Sequence, residues 1–318
     1  MVQYRPFLNA DPPRLFEIFL ESGLGRGLSQ PASLQSVEIN SYALPYFDRQ
    51  GLIVAHDEGE PIGFVHAGFG FTEDLNGLDK TKGVITAVIV DEAYRRRGVA
   101  TELVRQAEAY LTQHGARSIQ AGQSPFQDPF YFGIYGGARP SGFLKSHPLA
   151  HDFFTTLGYQ PKETIHVLQR PFTKGFATSM QLINIKRQTE IVITERPRSE
   201  SLWWFTHFGN MESMQFHMLN KKSGEEIAVV TVVGLDHYIS AWGMRAIGLV
   251  DLFVKEEYRG NLYGQALITE TMRRLKNEMI TMAECHVPAS KPAALRTALA
   301  TGFVEVDQGI VYEKPLGS

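Results

Sequence analysis

Residues 88–111 read VIVDEAYRRRGVATELVRQAEAYL, and the fold turns on this stretch. The β-branched run Gly83–Val90 leads into it and predicts a buried strand. Beyond the turn, Val99, Leu103, Ala107, Tyr110 and Leu111 recur at helical spacing, which predicts an amphipathic helix. Between the two lies Arg95-Arg96-Arg97-Gly98-Val99-Ala100. A strand, a basic turn and a helix start suit a diphosphate. The amides of the turn and of the first helical turn have no partner within the helix, and they converge on one spot. Gly98 lets the backbone approach phosphate oxygens with no Cβ in the way, and Ala100 keeps the helix start slim. The arginines add charge that pairs with phosphate or stays in water. The stretch is not a Walker loop, because G-x-x-x-x-G-K-[ST] is missing, and it is not a G-x-G-x-x-G dinucleotide turn. Taken alone, it reads equally well as a soluble helix start.

The rhythm occurs twice. Residues 252–275 read LFVKEEYRGNLYGQALITETMRRL. An offset of 164 residues matches Val90 with Val254, Tyr94 with Tyr258, Arg95 with Arg259 and Leu103 with Leu267. Further on, Leu157-Gly158-Tyr159 matches Thr301-Gly302-Phe303 at an offset of 144. The first copy therefore carries roughly 20 extra residues between the two landmarks. A period of this size means a duplicated domain and not a short solenoid repeat. Strand pairs precede each strand–turn–helix unit: Leu52–His56 with Ile62–Gly70, and Ser213–Asn220 with Glu226–Gly234. The N-terminus adds a strand (Val2–Phe7) and helices near Pro13–Glu21 and Leu34–Tyr46, with Asn9 to Pro13 as capping and first-turn residues.

Length and composition agree. The 318 residues suit two domains, and 43% hydrophobic with 20% charged residues is an ordinary globular mixture. A net charge of −3 supplies no basic field for general nucleic-acid binding. One cysteine, Cys285, makes neither an internal disulfide nor a cysteine zinc site. The expectation is a soluble cytoplasmic protein with no signal peptide, no membrane contact and no metal.

The motif V-x-x-x-Y-R-x-x-G-x-[GA] between a strand and a long helix resembles the acetyl-CoA turn of the GNAT N-acetyltransferase superfamily. Its signature [QR]-x-x-G-x-[GA] is matched in full by Arg95, Gly98 and Ala100. His151 to Tyr159 resembles the family's last helix and its aromatic-Gly-aromatic exit. Because both copies fit, the resemblance covers nearly the whole chain as a tandem GNAT. It implies an α/β fold: two domains, each a mixed, mostly antiparallel sheet flanked by helices. The expected bounds are 1–174 and 175–318, with the break near Pro171–Met180. The resemblance also implies that the backbone of Val88, Ile89 and Val90 pairs with pantetheine. The diphosphate would sit at Arg95, Arg96, Arg97, Gly98, Val99, Ala100 and Thr101. An N–H near the strand end would polarise the thioester carbonyl.

The second copy departs from this pattern, with Leu262 where the key glycine belongs; it reads either as a degenerate, structural domain or, since Gly260 and Gly264 keep backbone freedom, as a second cofactor site. Catalytic groups are harder to place. Many family members carry a tyrosine four residues before the exit glycine; here the positions hold Phe154 and Ala298. The family's strand glutamate is replaced by Thr86 and Val250, with Asp251 one residue further on. The extra residues of copy one, 124–147, are rich in aromatics, Gly and Pro and read as an ordered loop. They either shape an acceptor pocket, through Tyr131, Tyr135, Arg139 or His147, or seal the domain interface. His151, His66 and Cys285 read as structural. The function these features imply is acetyl transfer from acetyl-CoA to an amine of a small molecule, by direct attack in a ternary complex, in a monomer or homodimer. The rivals are a silent acyl-CoA- or partner-binding module, and aminoacyl transfer from tRNA. The intact CoA turn and the charge count against the last.

Overall fold

The computed structural model describes residues 1–316 apart from 30–32, 174, 177, 196–199 and 210. The first half runs β1 (Gln3–Pro6), α1 (Pro12–Leu20), α2 (Leu34–Val37), β2 (Leu52–Asp57), β3 (Glu60–Phe71), β4 (Leu78–Val90), α3 (Val99–Gln113), β5 (Ser118–Ala121), β6 (Phe143–Leu144), α4 (Leu149–Thr156) and β7 (Gln160–Pro171). The second runs α5 (Met180–Gln188), β8 (Thr189–Thr194), α6 (Leu202–Phe208), β9 (Ser213–Asn220), β10 (Glu226–Gly234), α7 (Ile239–Trp242), β11 (Ala246–Val254), α8 (Tyr263–Asn277), β12 (Met282–Pro288), α9 (Pro292–Ala300) and β13 (Val304–Pro315). The expected boundary abuts Lys174, which lies outside the described residues.

Two N-terminal details differ from the sequence reading. Asp11 caps α1 by position, but its side chain caps nothing. Pro12 and Pro13 open the helix and have no N–H to offer. The carboxylate instead accepts from both terminal nitrogens of Arg5 and from the Leu8 amide, each at 2.7 Å. The helix expected to reach Tyr46 becomes a wider turn at Glu38–Tyr42 and stops there. Pro45 excludes helical geometry from the residue before it.

Each strand–turn–helix unit packs as its periodicity predicts. In α3 the residues Val99, Leu103, Val104, Ala107, Tyr110 and Leu111 are buried. The corresponding face of α8 buries Leu267, Ile268, Met272 and Leu275.

The halves exchange their last strands. The sheet order is β1-β2-β3-β4-β5-β13-β7-β12-β11-β10-β9-β8, with β6 paired to β13. β13 joins the first half's β5 at Tyr312–Ala121 and Glu313–Gln120. β7 joins the second half's β12 from Ile165–Pro288 to Pro171–Met282. The two exchanged strands pair antiparallel with each other at the centre. The cores follow the exchange. Ile310 and Tyr312 pack in the first core with Phe154 and Tyr159, while Leu168 and Phe172 pack in the second.

The insert, an ordered loop apart from short β6, lies between the halves. Phe130, Tyr131 and Ile134 pack toward α1 and β4. Phe132 and Ala138 pack toward Trp203, Phe208 and Tyr238 of the second half.

Tyr312 is 1% exposed and is lent across the exchange, so it tests this arrangement. Tyr312→Ala is expected to cost about 3–5 kcal/mol, the range for deleting a buried aromatic side chain. Urea unfolding measures it.

Candidate active site

Along its C-terminal part, β4 is paired on one edge. β3 pairs with Val88 through Val65 and with Val90 through Gly63. β5 pairs in parallel with Lys82–Ile85 and then diverges. From Thr86 to Val90 the other edge has no strand partner among the described residues. Thr86 sits where the β3–β4 register slips, and its hydroxyl donates to the His66 carbonyl at 2.8 Å. Such a bulge turns the strand and sharpens its twist.

The turn that follows holds Gly98 at φ +82°, in the left-handed region, at the head of α3. No side chain caps this helix. Its first N–H groups therefore face outward at the positive end of the helix dipole. A Cβ at Gly98 would meet nothing within 4 Å, so the backbone angle, not space, calls for glycine.

Arg95 does not wait for phosphate with its whole head. Its Nε donates to the Val90 carbonyl at 2.9 Å and its Nη2 to the Ser22 carbonyl at 3.2 Å. It clasps the end of β4 to the turn and to the exit of α1. In the second half, Arg259 Nε donates to the Val254 carbonyl at 3.0 Å, the same clasp.

A cavity of about 390 Å³ opens along the free edge and the turn. Val88, Ile89 and Val90 form one wall, and Arg95, Arg96, Gly98, Val99, Ala100 and Thr101 form its end. Phe143, His147 and the near face of α4 form the opposite wall, and Ser22 and Leu24 close the side. Arg97 is not among the lining residues; its guanidinium lies 5.4 Å from the Tyr94 ring centre. Ser22 and Leu24 carried no signal in the sequence, because the loop after α1 has neither motif nor periodicity.

Phe154 floors the cavity with a ring and no hydroxyl. It stacks on Phe143 at 4.8 Å and on Tyr312 at 5.7 Å. His151 Nδ1 lies 3.0 Å from the Tyr312 hydroxyl. Ala298 is buried in the second core.

The four candidates for proton transfer scatter. His147, half-buried, lines the cavity. Burial holds its pKa below the usual 6.5, and the charge of Arg95 adds to this. Tyr131 is buried against α1, with its hydroxyl 2.9 Å from His66 Nδ1, and burial pushes its pKa well up. The Tyr135 hydroxyl accepts from the Leu144 amide at 3.2 Å, and burial raises its pKa to about 12. Asp251 lies on β11 and pairs with Arg139 of the insert. The reason for this scatter is the threading of the insert. Its aromatic middle fills the junction, and only its tail, from Phe143 to His147, reaches the cavity.

The second half keeps the turn with a leucine in place of the glycine. Leu262 adopts φ +63°, a conformation that costs a non-glycine residue roughly 1–2 kcal/mol. Its side chain is partly buried against the second core. A methyl at Gly264 would sit in ordinary contact with Val254 at 3.5 Å and Thr297 at 3.6 Å.

Cys285 is buried, and burial pushes its thiol pKa up. Among the described residues no group of three or more His, Cys, Asp or Glu is placed to hold a metal ion. No helix among them is long and apolar enough to cross a membrane.

A splayed strand leading through a glycine turn into an uncapped helix is the arrangement that the sequence resemblance implies, and the comparisons point to the same family. Residues 18–131 match the Acetyltransferase (GNAT) family. A curated relative, an uncharacterized N-acetyltransferase of Methanocaldococcus jannaschii, is 23% identical over 118 residues, which span 37% of this chain and 42% of that protein. The tandem GNAT protein of the clavulanic acid biosynthesis pathway superposes with TM-score 0.66 at 12% identity, covering 100% of this chain and 99% of its own. The glucosamine N-acetyltransferase region of a fungal multi-domain β-N-acetylglucosaminidase superposes with TM-score 0.73 at 16% identity, covering 99% of this chain and 38% of that one. Residues 18–131 thus carry a GNAT-family acetyltransferase domain, and the whole chain shares the fold of a tandem GNAT protein.

His147 gives this site a pH signature. Its folded pKa is depressed, so the unfolded chain takes up the proton first. The stability it contributes is present above about pH 6.5 and is lost as pH falls through the folded value. An NMR titration of the imidazole is expected to give a midpoint below 6.5. Arg95→Gln should move that midpoint upward.

Proposed function

We propose that the chain transfers an acetyl group from acetyl-CoA to an amine of a small molecule, by direct attack within a ternary complex in the first half. The observation that carries this reading is the single cavity joining the unpaired edge Val88–Val90 to the uncapped start of α3. An acyl-CoA offers those two features what they lack: amide groups for a strand edge and a diphosphate for a helix start. The amides of Val99, Ala100 and Thr101 hold the diphosphate, with Arg96 adding charge. The edge of β4 holds the pantetheine arm, and an N–H at the bulge end polarises the thioester carbonyl.

The attacking nitrogen forms a bond to the carbonyl carbon, and the carbon–sulfur bond breaks. The proton released from the nitrogen goes to neutral His147, and the imidazolium so formed returns it to the departing thiolate. With Phe154 offering no hydroxyl, most of the acceleration is assigned to positioning and carbonyl polarisation. The absence of that hydroxyl also favours a second reading, a catalytically silent acyl-CoA-binding module.

Gly98→Glu separates these readings from a protein that binds no acyl-CoA. Its carboxylate would enter the diphosphate space, and calorimetric affinity for acetyl-CoA should fall at least about a hundredfold, since a like charge there costs several kcal/mol. Unchanged affinity would sink both. Acetyl-CoA turnover over a panel of amines then distinguishes enzyme from silent module.

A further inference from the structure

Three consecutive residues of the insert are each gripped by a different element of the second half. The Gly137 amide donates to the Tyr238 hydroxyl at 3.0 Å, just ahead of α7. The Ala138 amide donates to Glu284 Oε1 on β12 at 2.9 Å. Arg139 donates to the carboxylate of Asp251 on β11.

The fit at each point is tight. Gly137 has φ +85°, and a Cβ there would lie 2.0 Å from Glu284 Oε1. A Cβ at Gly248 would come within 2.7 Å of the Ala138 Cβ. The Glu284 carboxylate is fully buried and also accepts from Gln169 Nε2 at 2.6 Å, so it is held rigidly in place.

Arg139 is enclosed by aromatic rings. Its guanidinium carbon lies 4.8 Å from the Trp203 ring centre, 5.7 Å from Phe208 and 5.8 Å from Phe126. Cation–π attraction of this kind strengthens as water is excluded, and only 6% of this side chain is exposed. Its Nη1 and the nearby Asp128 Oδ2 are buried without hydrogen-bond partners. The box therefore holds a guanidinium by charge and aromatic faces more than by a full set of hydrogen bonds. Asp251 itself stands at φ +54°, a left-handed kink within β11. The equivalent stretch of β4 borders the first half's cavity. The second half thus spends its own splayed strand on holding a residue of the first.

We propose that the second half is a guanidinium receptor for Arg139, and that Arg139 is a positioning residue for the first half's site. The insert has no helix and one short strand to stiffen it, so its tail takes its place from these anchors. That tail supplies Phe143 and His147, which form the cavity wall opposite Val88–Val90. The effect on acyl transfer rests on the proposed function; the effect on His147 does not.

The test uses the full chain with Arg139→Ala, Arg139→Lys and Asp251→Asn, the last at a half-exposed position that leaves the fold intact. Two readouts are followed: the NMR titration of His147 and the calorimetric affinity for acetyl-CoA. Arg139→Ala is expected to move the His147 midpoint toward 6.5 and to weaken acetyl-CoA about tenfold, the loss of one desolvated cation–π anchor. Asp251→Asn should move both in the same direction by less. Ethylguanidinium added to Arg139→Ala should restore both, and Arg139→Lys, a cation without the planar fork, should restore them in part. A variant that melts lower but keeps the wild-type His147 midpoint and affinity would reduce Arg139 to interface glue and overturn the proposal. So would failure of ethylguanidinium to restore a well-folded Arg139→Ala protein. The His147 titration needs no ligand. It decides the positioning role even if the wild type fails to bind acetyl-CoA, an outcome that would defeat the proposed function alone.

Discussion

The structure depends on the antiparallel pairing of β13 with β7 at the centre of the sheet. Each of these strands begins in one half and completes the other. β13 carries Tyr312 under α4, where it stacks on the floor of the cavity. β7 carries Leu168 into the second core. Neither half closes its own sheet, so hydrophobic burial in each depends on strands lent by its neighbour. The first half's cavity therefore rests on a residue encoded near the C-terminus.

The exchange also defines what the insert can do. The central pairing holds the halves in one register, and the loop between β5 and β6 then has fixed surfaces on both sides. Its aromatic side chains divide between them: Phe130 and Tyr131 one way, Phe132 the other. The two readings of the insert, acceptor-side wall and interface seal, describe different parts of one segment. The middle seals the junction, and the tail borders the cavity.

The strand–turn–helix units were legible because their signals are local. A β-branched run, a glycine turn and a helical period need no knowledge of the rest of the chain. The same holds for the lining residues from Val88 to Thr101, except Arg97, which turns onto Tyr94. Strand exchange left no local mark. Alternation along Gln160–Pro171 and Val304–Pro315 says which face is buried, but not which strand lies alongside. Arg139 stands out as an acceptor-pocket candidate, but its pairing with Asp251 leaves no local mark, because the two are distant in sequence. Tyr131 and His147 looked alike as proton carriers in an aromatic loop. Burial separates them: Tyr131 is packed against Phe19, while His147 keeps a face on the cavity.

The twin arginine clasps bear on how such motifs are read. Arg95 and Arg259 make the same hydrogen bond to the carbonyl of the valine that ends the preceding strand. One clasp borders an open cavity, the other a turn that carries Leu262 against the second core. The arginine of the motif is thus a folding element in both copies, and the two turns differ at the glycine position. A duplicated chain scored on its arginines would look symmetric. Scored on residues 98 and 262, it divides into a copy whose glycine turn borders an open cavity and a copy whose turn carries a leucine packed against its own core.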